Sequence, residues 1–228
     1  FPACATTVVR MSRPRTFPEL ISRRLRDDPG QPLLTAYDDA TGERTELSVK
    51  TYANWVSKTA NLFVDELMLD PGEALGIDLP PHWLGAVFLG AAWACGLDLD
   101  GTDPVAAIVG PTGLEDLPDV PTTMACSLRP FAVRFAEPLP PGVLDHGALW
   151  AGQSDVFSPQ EPTDLGTAVP DDRRVITDLD PLGAAGRELL AGLLAGTGSV
   201  VLVANAEDGG WPARSQSERA TAVVRATA

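Results

Sequence analysis

The stretch from Trp83 to Leu97, WLGAVFLGAAWACGL, contains no charged residue. A helix that is apolar all round must be buried on every side. The run is shorter than the ~20 residues a bilayer span requires, so its surroundings have to be protein. Ala74–Leu79 before it and Leu97–Asp100 after it read as short strands, with Pro80 and Pro81 breaking the chain between the first strand and the helix. A strand, an apolar crossover helix and a second strand form a βαβ unit, whose strands lie parallel and are covered on both faces. The expected fold is therefore α/β, a largely parallel sheet flanked by helices.

The flanking patterns agree with a layered fold. Thr16 followed by Glu19 reads as a capping box, and Phe17, Leu20, Ile21 and Leu25 repeat at helical spacing until Asp27-Asp28-Pro29-Gly30. Leu33–Tyr37 and Thr45–Val49 enclose Asp38-Asp39-Ala40-Thr41-Gly42, the pattern of a hairpin. From Ser48, the residues Val49, Tyr52, Ala53, Val56, Ala60, Phe63 and Leu67 share one helical face until Asp70-Pro71-Gly72. Ala106–Gly110 is a further strand, and Thr122–Leu128 and Phe131–Ala136 are weaker ones, interrupted by prolines. The pattern recovers with a strand at Arg174–Thr177, a helix at Leu182–Ala195, a buried strand at Ser199–Val203 and a last helix from about Ser215, which with Glu218 reads as a second capping box. The expected division is a flexible extension over 1–15, an α/β subdomain over 16–150, a linker over 151–170, and a smaller α/β piece over 171–228 packed on the first.

Charge narrows the partners. Seventeen Lys and Arg stand against 31 Asp and Glu, a net charge of −14, which repels phosphate backbones and anionic lipid, so neither nucleic acid nor a membrane surface is expected as a partner. Only Lys50 and Lys58 are lysines; the other cations are arginines, clustered at Arg10, Arg13, Arg15, Arg23, Arg24 and Arg26 as a basic edge that reads most simply as a solvated helix face. Cys4, Cys95 and Cys126 form no CxxC pair, which fits a reducing cytoplasm.

The order of these blocks resembles the N-terminal part of the adenylate-forming superfamily, which comprises acyl-CoA synthetases, adenylation domains and luciferases. TFPELISRRLRDDPGQPLLTAYDDATGERTELS resembles that family's first helix and hairpin, and KTYANWVSKTANLFVDEL its next helix. DPGEALGIDLP and HWLGAVFLGAAWACGLDLD resemble the following strand and helix, and RRVITDLDPLGAAGRELLAGLLAGTGSVVLVAN a later strand, helix and strand. The resemblance spans the greater part of the chain as block order and hydrophobic pattern. It implies ATP-dependent, AMP-forming activation of a carboxylate, with AMP or ATP and a divalent cation as bound groups.

That chemistry places positive charge and backbone N–H donors against the α-phosphate of ATP. The family supplies a Ser/Thr/Gly-rich loop ending in Pro-Lys-Gly, a ribose-binding Asp and a catalytic Lys in a C-terminal domain. Where the loop is expected, the sequence reads LWAGQSDVFSPQEPTDLGTAVPDD, with five acidic residues and no Lys or Arg. Lys50 and Lys58 both precede it on the second helix. The remaining chain after SVVLV is too short for the ribose motif and the C-terminal domain. No catalytic residue is therefore expected. The expectation is a non-catalytic relative that binds a small ligand, of nucleotide or acyl type, or a protein; the alternatives are a homodimeric scaffold and residual ligase activity.

Asp98, Asp100 and Asp103 are the candidate divalent-cation ligands, because Asp98 and Asp100 share one face of a strand near its carboxyl end; a polar strand end entering a glycine turn is the simpler reading of the same residues. Gly196-Thr197-Gly198-Ser199 runs from helix to strand, the reverse of a phosphate cradle, and reads as a helix end. His82 starts the apolar helix, and His146 reads as a loop histidine. Trp55, Trp83 and Trp93 read as core, while Trp150 and Trp211 read as loop residues suited to partner contact.

Overall fold

The computed structural model describes residues 15–226. The extension expected over 1–15, with Cys4, Arg10 and Arg13, falls outside them but for Arg15 itself. In chain order the elements are α1 (Phe17–Asp27), β1 (Pro32–Asp38), β2 (Glu43–Ser48), α2 (Val49–Asp65), β3 (Leu75–Asp78), α3 (Trp83–Cys95), β4 (Ala106–Val109) and β5 (Thr122–Ala125). They continue with β6 (Val143–Asp145), α4 (His146–Leu149), β7 (Arg174–Thr177), α5 (Ala184–Ala195), β8 (Ser199–Ala204), α6 (Trp211–Ser217) and β9 (Ala222–Val224).

Local chemistry sets the first helices. The Glu19 carboxylate accepts the N–H groups of Arg15 and Thr16 at the head of α1 (2.8 and 3.0 Å), and Ser48 Oγ accepts the Thr51 N–H at the head of α2. His82 caps α3 by accepting the Leu84 N–H at Nδ1, and Gly96 ends that helix at φ +71°. A Cβ at Gly96 would lie 2.0 Å from the Glu161 carbonyl oxygen, so glycine is required there for two reasons.

The strands form two sheets. One has the order β2-β1-β8-β7-β9, with β1, β8, β7 and β9 parallel and β2 an antiparallel edge; the other, β3-β4-β5-β6, is parallel throughout. Every residue of α3 is buried, as its composition demands. A single apolar cluster joins α1, α2, α3 and α5 to Leu34, Val175, Val200 and Leu202 of the first sheet and to Leu75, Ile108 and Met124 of the second. The alternate residues Ile176, Val201 and Val203 face the other way and are covered by Trp211 of α6.

The βαβ unit is β3-α3-β4. The strand expected at Leu97–Asp100 is reduced to a single bridge between Ala74 and Asp98, because Asp98 Oδ1 turns the chain by accepting the Asp100 N–H at 2.8 Å. Phe131–Ala136 is likewise no strand, since Leu128, Phe131 and Ala132 take positive φ. The last helix starts earlier than expected, and Glu218 lies beyond its end with its carboxylate bonded to Tyr37, Arg44 and Arg174, so it cannot serve a capping box at Ser215.

The first sheet crosses the expected division at 151–170. β1, from the 16–150 segment, hydrogen-bonds to β8, from the 171–228 segment, with Leu34 opposite Val200. The segment between is pinned down rather than free: Asn61 Nδ2 donates to the carbonyls of Ser154 and Val156, and the Thr163 N–H donates to Trp93 O. Among the described residues no helix is long and apolar enough to cross a membrane.

The basic edge is a solvated face at Arg15 and Arg26, which are exposed, but not at Arg23 and Arg24; Arg10 and Arg13 lie outside the described residues. Arg24 is 2% exposed, and its guanidinium donates to the carbonyls of Leu193 (2.8 Å) and Gly198 (2.9 Å). Arg23 donates to the carbonyls of Leu194, Ala195 and Gly196. The two arginines thus close the C-terminus of α5, where four carbonyls lack helical partners and the helix dipole is negative.

Candidate binding site

In an open parallel sheet, ligands bind beyond the carboxyl ends of the strands where successive connections leave for opposite faces. Here β7 leads into α5 on the main-core face, and β8 leads into α6 on the other. The crevice between the ends of β7 and β8 is that point.

Carboxylates surround it, and each is already engaged. Asp38 Oδ1 accepts from Asn205 Nδ2 at 2.8 Å. Asp39 receives both Arg214 guanidinium nitrogens (2.5 and 3.2 Å) and the Glu207 N–H. Hydrogen bonding from Arg214 outweighs burial and holds Asp39 below the ordinary carboxylate range. Asp178 accepts Arg225 Nε at 3.2 Å and the Ala226 N–H at 2.7 Å. The nearby cations are therefore neutralised by protein, and the crevice offers a phosphate a set of carboxylates.

Two spaces lie against the first sheet. Under β1 and β8 lies a void of about 10 Å³ lined by Ala36, Asp38, His82, Trp83, Leu202 and Ala204, room for about one water. Burial lowers His82 to about 4, so its imidazole is neutral near pH 7. Separately, between α5 and the edge strand β9, an open groove of about 540 Å³ reaches from Leu179 and Val224 at the carboxyl end of the strands to Asp171 and Arg173 ahead of β7, and is lined also by Val169, Ala185 and Leu189. Asp171 and Arg173 pair with each other at its rim (2.7 Å), and Glu188 lies exposed there.

Comparison with known proteins follows this geometry. No family model matches the chain. A TIGR03089 family protein of Mycobacterium tuberculosis is 38% identical over 150 residues, 62% of this chain and 61% of that protein. An acetoacetyl-CoA synthetase from Streptomyces lividans superposes with a TM-score of 0.71 at 17% identity, covering 92% of this chain and 42% of that one. A Brucella canis acyl-CoA synthetase gives 0.72 at 15%, covering 90% and 47%. An amide bond synthetase from Marinactinospora thermotolerans gives 0.63 at 16%, covering 89% and 47%. The fold is shared with part of each of these synthetases. The chain spans under half the length of each solved neighbour and about three-fifths of the curated relative.

The residues singled out from sequence are dispersed. Asp100 is held by Arg187 through two bonds (2.7 and 3.1 Å), Asp98 serves the turn, and Asp103 lies exposed beyond it. Among the described residues no three His, Cys, Asp or Glu side chains gather as metal ligands. His146 is not a loop histidine: it begins α4 and is fully buried. Trp150 stacks on Trp55 at 3.6 Å between ring centroids, and Trp211 is buried against the sheet, so neither is offered to a partner. Lys58 does reach the segment standing where a phosphate loop was expected. Its ammonium donates to the carbonyls of Ala151 and Gln153 and pairs with Asp155, as a clamp on backbone. A sequence separation of 93–95 residues hid this contact. The α5–β9 groove left no sequence signal, because its lining comes from four separated segments.

Proposed function

We propose that this chain is a non-catalytic relative of the adenylate-forming enzymes that binds a small acyl-type ligand in the α5–β9 groove, in a reducing cytoplasm. The observation that carries the reading is the pairing of a groove of ligand size, in which Val169, Leu179, Leu189 and Val224 stand beside the charged Asp171, Arg173 and Glu188, with a strand-end crevice whose arginines are already committed to Asp39 and Asp178. An acyl chain gains free energy by leaving water for Val169, Leu179 and Leu189, whereas a triphosphate would find the arginines at the crevice already paired with Asp39 and Asp178 and, among the described residues there, no free cation to receive it. The solved neighbours named acyl-CoA synthetases support the choice of an acyl ligand by analogy of fold.

A thermal-shift panel with decanoate, ATP with magnesium, AMP and coenzyme A tests this. Decanoate at a hundred times its dissociation constant stabilises the protein by ~2.7 kcal/mol, and Val169→Asp removes the effect. Stabilisation by ATP alone, or carboxylate-dependent release of pyrophosphate from ATP, refutes the reading.

A further inference from the structure

The segment that follows β5 at the carboxyl end of the four-stranded sheet is bent sharply and braced. Leu128, Phe131 and Ala132 stand at φ +52°, +61° and +48°, conformations that side-chain-bearing residues rarely hold. Ser127 Oγ donates to the Val133 carbonyl, the Ala132 N–H donates to Arg129 O at 2.9 Å, and the Phe135 N–H donates to Asp145 Oδ2 at 3.0 Å. From beneath, α4 lies so close that a Cβ on Gly147 would be 2.4 Å from the Arg134 nitrogen. The product is a rigid strap with an apolar tip: Phe131 is 85% exposed and Val133 45%, while Ala132 is buried. Exposed Arg129 and Arg134 flank that tip, and among the described residues neither makes an ion pair, unlike Arg15, Arg44, Arg173, Arg174, Arg187 and Arg214.

The same chain carries the complement. The α5–β9 groove has an apolar floor, exposed Val169, and an exposed Glu188 that makes no ion pair among the described residues. At about 540 Å³ it has room for a phenyl ring and its neighbours. We propose that the Phe131 strap of one copy docks in the α5–β9 groove of a second copy, with Phe131 on the apolar floor and a flanking arginine against Glu188. An aromatic anchor with adjacent arginine is the composition that dominates binding at interfaces. The occupant is a second copy because the same fold presents Glu188, exposed and without an ion pair among the described residues, as the local counter-charge for a flanking arginine beside a groove of matching size; that local attraction acts against the mutual repulsion of two bodies of net charge −14. The two surfaces differ, so the contact is heterologous and builds rings or open chains.

This inference uses the groove assigned above to an acyl ligand but does not depend on that ligand. Association is measured without it, so either reading can fail while the other stands. The test is sedimentation velocity of the full chain over a concentration series at low and high salt. Expected is a mass that rises with concentration, most clearly at the higher salt, where the repulsion between bodies of net charge −14 is screened. Phe131→Asn, which suits a left-handed backbone, and Val169→Arg/Glu188→Arg each weaken association at least ~10-fold, while circular dichroism melts show both variants folded. Mixed in equal amounts, the two variants form a 1:1 complex that grows no further, because one retains an intact groove and the other an intact strap. A wild type that stays monomeric into the hundreds of micromolar overturns the proposal. So does a dimer that neither substitution disturbs, a mixture that forms no complex, or monomeric protein binding phosphatidylserine vesicles through Phe131.

Discussion

His146 gives the most direct way to test the core. Its side chain is fully buried, neither ring nitrogen has a hydrogen-bond partner, and the imidazole meets Phe88 at 5.2 Å between centroids. Burial lowers it from 6.5 to about 4. The unfolded chain therefore takes up a proton first as pH falls. Stability is unaffected by this group above about pH 6.5, declines as pH drops from there to about 4, and is constant in this group's contribution below. The whole interval, at ~1.36 kcal/mol per pH unit, amounts to about 3.4 kcal/mol, of which about 2 kcal/mol is lost between pH ~7.5 and ~5. His146→Leu removes this loss and also two unpartnered nitrogens, whose burial costs ~1–3 kcal/mol at neutral pH. Urea denaturation of wild type and variant at the two pH values reads the effect: the variant gains on wild type by about 2 kcal/mol more at the lower pH. His82, lowered to about 4 as well, declines equally in both proteins and cancels. If the two proteins lose stability in parallel between those pH values, His146 is hydrated or protonated in the fold, and the dry packing around it is wrong.

Two further substitutions test how the helices are held. Arg24→Met removes the donors that close α5 and leaves its last carbonyls unpaired in the core, lowering stability by about 3 kcal/mol by scanning calorimetry; Arg24→Lys does not restore it, since a point charge cannot reach those oxygens together, and a loss within ~0.5 kcal/mol would show the arginine to be dispensable. At Gly90, an added Cβ would lie 2.6 Å from the Tyr52 hydroxyl oxygen and 2.8 Å from Val56 Cγ2, so Gly90→Ala forces α2 and α3 apart. Denaturant titration should find it ~1–3 kcal/mol less stable, despite alanine's higher helix propensity.

What could be read from local sequence is where local chemistry decides. The uncharged run at 83–97 required a helix buried all round, and α3 is one. Ser48 and Glu19 marked helix starts, and the hairpin at 32–48 followed from two short runs around a glycine turn. These signals act over four residues or fewer, or over one periodic face. The parallel sense of the strands on either side of α3 followed from the crossover helix, although the strand that pairs with β3 is β4 and not the one expected at Leu97–Asp100.

What only the tertiary structure decided is where distant segments meet. Nothing within 32–48 announces that the hairpin completes a sheet with strands some 140–190 residues further on, because parallel pairing carries no local turn signal. The same holds for charge. Arg23 and Arg24 resemble a solvated edge until the end of α5 is placed against them, and Glu218 resembles a helix cap until Tyr37, Arg44 and Arg174 converge on it. The candidate groove is assembled from four segments, none of which is distinctive alone. Hydrophobic period and capping depend on neighbours along the chain, so sequence determined the elements. Partners of buried charges and the walls of a groove depend on packing, which only the folded chain supplies.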